Sequence, residues 1–168
     1  WPKMMGEFHV AQSAAGIISM TIAICTVISS LQTARITRKI GTGKLVLSSV
    51  LLTAIGLMGF AFTQGFFFLI IAALPLGFGA GAIDTSLNDY VAANFKAHHM
   101  NWLHAFWGVG ATLGPMIMGV MLNNHFSWRN GYLIIGYIQL ALVIILFLSL
   151  SLWKQNKQKV SEESSGYA

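Results

Sequence analysis

Charge is what this sequence has least of. Ten Lys and Arg and five Asp and Glu are spread over 168 residues, so 9% of the side chains are charged, against about 25% in an ordinary soluble domain. With 55% hydrophobic residues, such a chain is not a soluble globule. Cysteine is nearly absent as well. Cys25 stands alone, which excludes an intrachain disulfide and leaves the redox compartment unread. No His, Cys, Asp or Glu residues have metal-site spacing. No nucleophile is paired with a base and no phosphate loop is present, so nothing points to an enzyme or a cofactor. The net charge of +5 is split among separate segments and does not form a nucleic-acid surface.

What is present is length of apolar run. A helical crossing needs about 20 apolar residues, and five stretches qualify: residues 10–31, 45–62, 65–89, 102–122 and 132–153. Barrel strands would instead show segments of about ten residues with alternating polarity. The expected fold is therefore an all-α polytopic helical bundle in a lipid bilayer, covering 1–153. Residues 154–168, KQNKQKVSEESSGYA, form a polar tail without apolar periodicity, for which disorder is expected.

Basic residues orient the bundle, because cytoplasmic segments retain Lys and Arg. The loop expected after the first span holds Arg35, Arg38, Lys39 and Lys44; Lys96 follows the third span, and Lys154, Lys157 and Lys159 lie in the tail. Lys3 and Arg129 fall on the other side. This places the chain's N-terminus outside and its C-terminus in the cytoplasm. The opening WPKMMGEFHV has no initiator Met and no cleavable signal pattern, so an upstream crossing is expected.

The third span carries the chemistry. Gly77, Gly81, Asp84 and Asn88 are spaced by four, three and four residues, which puts them on one stripe of a helix. Gly77 and Gly81 suit close helix packing. The GFGAG run lies inside a span and not at a strand-to-helix turn, so it is not a nucleotide loop. A carboxylate within a span costs about 2.5–3.5 kcal/mol, which makes Asp84 a candidate functional group. Its place near the inner interface leaves a second reading open, a solvated helix-end acid. Asp89, beside the loop, reads as interfacial.

The fourth span opens NWLHAFWGVGATLGP. Asn101, His104 and Gly108 share a face, Gly110 and Gly114 form a second packing pair, and Pro115 marks a kink. His98 and His99 fall in the preceding loop. Trp107 could stack on a sugar ring, and so could Trp102, which reads equally as an interfacial anchor.

AIDTSLNDYVAANF followed by NWLHAFWGVGATLGP resembles the fourth and fifth helices of the major facilitator superfamily, in its fucose permease-like sugar transporter branch. The resemblance rests on Asp84 followed by Asn88, then Asn101, Leu103, His104, Phe106 and Gly110, with one position inserted after Asn101. SWRNGY, Ser127 to Tyr132, is similar to the entry of that family's sixth helix. Two departures stand out. ARITRKIGTGK has Arg38 where the family's loop signature carries Asp, and only Gly41 and the basic character remain. Asn88-Asp89 replaces the branch's Asn-Pro.

The resemblance implies helices two to six of a six-helix half, with a first helix and a C-terminal half supplied elsewhere and the tail beginning a central cytoplasmic loop. It implies a proton-coupled symporter of a sugar or similar small polar solute. Asp84 would be the proton site, and Asn88, Asn101, His104 and Trp107 would contact the solute. Two alternatives remain. GATLGP is similar to part of an antiporter signature and would suit drug or metabolite efflux, and a five-helix scaffold or sensor would need only the packing glycines.

Overall fold

In the computed structural model, residues 1–153 are described; the polar tail at 154–168 lies outside them. The helices are α1 (Pro2–Phe8), α2 (Ala14–Ile40), α3 (Thr42–Phe62), α4 (Phe66–Asn94), α5 (Ala97–Asn123) and α6 (Trp128–Leu148), followed by a 3₁₀ turn at Leu150–Leu152. Five of them, α2 to α6, are long and apolar enough to cross a membrane. Connections are short, so successive spans alternate in direction.

Helix α4 is central, packed between α2 and α3, while α6 lies against the far side of α3 and α5 sits at the edge. Apolar burial gives little drive for helices to associate within lipid, so close backbone approach and hydroxyl hydrogen bonds must serve. The glycines of α4 provide the approach on two sides. A Cβ on Gly77 would lie 2.6 Å from the Ile22 carbonyl oxygen of α2, and one on Gly81 would overlap the Thr26 carbonyl. On the other side, a Cβ on Gly79 would sit 2.7 Å from Thr53 Cγ2 of α3. Hydroxyls of α2 then reach carbonyls of α4: Thr26 Oγ1 donates to Gly77 at 3.2 Å, Ser29 Oγ to Phe78 at 2.6 Å and Ser30 Oγ to Gly81 at 3.2 Å. Helices α3 and α6 are joined by Thr53 Oγ1 donating to Gln139 Oε1 at 2.8 Å, by the Phe60–Tyr132 rings 5.2 Å apart and by Met58 seated over Gly136.

The structure moves several expected boundaries. Helix α2 continues to Ile40, so Arg35, Arg38 and Lys39 are helical and the cytoplasmic loop expected there shrinks to Gly41. Ala97 already lies in α5, which puts His98 and His99 on its first turn. Helix α6 begins at Trp128, four residues earlier than expected, and ends at Leu148. The end of α2 and the starts of α5 and α6 run beyond their apolar stretches, because backbone hydrogen bonding continues through polar residues once a turn is formed; α6 stops short of its stretch, where a 3₁₀ turn takes over at Leu150–Leu152. Helix α5 runs unbroken through Pro115. Gly110 and Gly114 pack against nothing within 4 Å, and α5 has no buried residue. Their expected role as a packing pair is not realised among the described residues.

Candidate functional site

Gly77 and Gly81 set the rotation of α4 by fitting α2, and that rotation fixes where Asp84 and Asn88 stand. The glycines are buried, whereas Asp84, one turn on, is exposed and Asn88 is half-buried. The face that packs at its glycines is therefore open at its carboxylate. Asn88 Nδ2 donates to the Asp84 carbonyl at 2.8 Å and to Asp84 Oδ1 at 3.3 Å. The amide thus holds one carboxylate oxygen, and among the described residues the other accepts no hydrogen bond. Asp84 lies about 27 Å along α4 from Phe66 at 1.5 Å per residue, close to the far limit of a hydrocarbon core about 30 Å thick.

Asn101, His104 and Trp107 are all exposed, and among the described residues no hydrogen bond joins them to Asp84 or Asn88. Asn101 and His104 share one face of α5, on which Thr112 Oγ1 donates to the Gly108 carbonyl at 3.0 Å. Trp102, Ala105, Phe106 and Val109 line a shallow apolar groove of about 440 Å³ on another face. At the start of α5, His98 and His99 have ring centroids 3.9 Å apart, and both rings meet Trp102 edge-on. His99 also packs on Phe95, which touches Tyr90 of α4, and Tyr90 packs on Trp153 at 5.0 Å. Trp153 itself covers Gly43 of α3. An aromatic chain thus links the ends of α3, α4, α5 and the 3₁₀ turn.

The opposite end holds a cluster that the sequence reading missed. Glu7 Oε1 pairs with Arg129 Nη1 at 2.7 Å, and Glu7 Oε2 accepts from Trp128 Nε1 at 2.9 Å. Arg129 Nη2 donates to the Thr63 carbonyl at 2.8 Å, and its guanidinium lies 4.4 Å from the Trp128 ring centroid. The Trp128 hydrogen bond, supported by the hydrogen bond and charge of Arg129 and opposed by partial burial, holds the Glu7 carboxyl below its ordinary value of 4.5. The available signal was an isolated acid in the short segment before the first span, paired with the Trp-Arg entry of the last.

Comparison with known proteins agrees with this architecture. An uncharacterized transporter, y4wD, of Sinorhizobium fredii is 30% identical over 119 residues, covering 67% of this chain and 31% of that protein. The glucose/mannose transporter GlcP of Bacillus subtilis is 28% identical over 102 residues, covering 60% of this chain and 24% of the transporter. The chain thus matches less than a third of each relative's length. The profile of the Major Facilitator Superfamily matches residues 1–166, and with five membrane-length helices packed around a glycine-lined α4 the chain belongs to that superfamily.

Proposed function

We propose that this chain is part of a proton-coupled symporter for a sugar or similar small polar solute in the cell membrane, with its basic end facing the cytoplasm. The observation that carries the reading is the Asp84–Asn88 pair on α4, whose carboxylate is exposed among the described residues. A carboxylate turned to acyl chains would cost about 2.5–3.5 kcal/mol, so this face suits a watery cavity or a further protein segment. The sugar named for the Bacillus relative supports the solute class.

In this reading Asp84 takes a proton when the cavity opens to one side and releases it on the other, with drying of the site favouring the neutral acid. Asn88 orients the carboxylate and, with Asn101, His104 and Trp107, contacts solute hydroxyls and ring faces as the cavity closes. In the full-length transporter, Asp84→Asn is expected to abolish uptake against a gradient while leaving counterflow exchange intact. Proteoliposome uptake of glucose and mannose, with and without a proton gradient, measures both. Unchanged uphill uptake by the variant removes Asp84 from coupling. Proton-driven export from the same vesicles assigns the efflux alternative.

A further inference from the structure

We propose that His98 and His99 form a proton-operated clasp at the start of α5, closed while both imidazoles are neutral and opened when both are charged. Their ring centroids lie 3.9 Å apart at an interplanar angle of 34°. His98 meets Trp102 edge-on at 5.9 Å and His99 does so at 5.8 Å. His99 also packs on Phe95 at 5.3 Å, and Phe95 on Tyr90 of α4 at 6.0 Å. The stack therefore ties the first two turns of α5 to the last turns of α4.

The sequence makes this helix start depend on those rings. Lys96 holds the N-cap position with no side-chain hydrogen bond, and no acid stands in the first turn. The opening N–H groups of α5 thus lack both the capping oxygen and the negative charge that ordinarily settle a helix N-terminus. His99 Nδ1 lies 3.3 Å from the Lys96 carbonyl oxygen, which holds that ring over the connection. Neutral imidazoles suit the positive end of a helix, whereas imidazolium ions oppose it.

Charging both rings reverses the balance. Two unit charges about 4 Å apart repel even in bulk water by an amount worth about fivefold in an equilibrium, and the helix end adds to this. Histidine is the side chain whose charge changes between pH 8 and pH 5. The other ionisable groups at this end are Lys96 on the connection, Asp84, Asp89 and Tyr90 on α4, Lys44 on α3, Arg35, Arg38 and Lys39 on α2, and His104 further along α5. Helix α6 carries Arg129, Tyr132 and Tyr137 in its other half. Among the described residues no ion pair joins any of these groups to either imidazole; Glu7 and Arg129 pair at the opposite end.

The clasp bears on transport through what it holds, since Asn101 and His104 stand on the first turns of α5. With the basic end in the cytoplasm, inward proton symport acidifies the side on which the clasp lies and loosens those turns, which brakes further uptake. That step rests on the symport reading, whereas the clasp itself does not.

The test is hydrogen–deuterium exchange of the full-length protein in detergent at pH 8 and pH 5, corrected for intrinsic exchange. Amides 101–106, bonded within the first turns of α5, are expected to lose protection by at least about fivefold at pH 5, while amides 50–58 of α3 keep theirs. The double variant His98→Phe, His99→Phe keeps two rings and removes both charges, so its protection should be equal at the two pH values. Unchanged native protection, or the same loss in the double variant, overturns the proposal. Asp84→Asn should retain the native response in full; its disappearance there would assign the response to the carboxylate and equally overturn the clasp. Absence of proton-driven uptake would remove the symport reading and leave the exchange response in place.

Discussion

At the scale of single residues, one glycine stripe does two jobs at different heights, and the difference can be measured. A Cβ on Gly81 would enter the Thr26 carbonyl of α2, and backbone is the least yielding neighbour available. Gly81→Ala should destabilise the bundle by about 1–3 kcal/mol, the range for overpacking a filled interior. Gly110→Ala meets nothing within 4 Å among the described residues and should stay within about 0.5 kcal/mol, as an uncrowded surface change does. Thermal unfolding of the two variants in detergent checks the contrast, and equal melting temperatures would refute it. The two glycines look alike as sequence, each half of a four-residue pair. What separates them is which helix lies opposite, and that is a tertiary fact. The Asp84–Asn88 contact was legible because i to i+4 neighbours meet on any helix. A link from that pair to Asn101 and His104 depends on how α4 and α5 face each other, and the described residues do not join them.

At the scale of elements, the five apolar runs were readable because each is as long as a bilayer is thick. Their ends were not, since Arg35, Arg38 and Lys39 continue α2 as readily as apolar residues would. The stop is a backbone event. Gly41 adopts φ 86° and ψ 154°, a conformation almost confined to glycine, and its own N–H still bonds to the Thr37 carbonyl. Of the family's loop signature only this glycine and the basic character survive, and the dihedral supplies the physical reason for the glycine. Gly41→Ala should cost about 1–3 kcal/mol through strain at that dihedral pair. Gly16→Ala, inside α2 with open space around it, should stabilise by up to about 1 kcal/mol through helix propensity. Opposite signs in unfolding of the two variants are expected; a neutral Gly41→Ala would mean that the α2–α3 turn can be built another way.

At the scale of the whole molecule, the helices are fastened differently at their two ends. The basic end closes on rings, with Trp153 over Gly43 and against Tyr90. The other end adds charge to its rings: Phe8 meets Trp128 edge-on, and Glu7 and Arg129 bring α1, the α3–α4 turn at Thr63 and the start of α6 together. The charged fastening is partly open to water, with the Arg129 and Glu7 side chains 27% and 41% exposed, so its worth is at most about 1 kcal/mol. Because the Glu7 carboxyl titrates below 4.5 in the folded chain, its contribution is complete above the unfolded value. It fades as pH falls through the lower folded one. Glu7→Gln should therefore be less stable than the native chain at pH 7, and the gap should close below pH 4.5. Arg129→Gln should be less stable at pH 7 as well, and the double variant should lose less than the two single losses combined, because either change alone breaks the ion pair. Unfolding across that pH range reads all three variants, and a gap for Glu7→Gln that persists into acid would mean the residue acts by packing and not by charge.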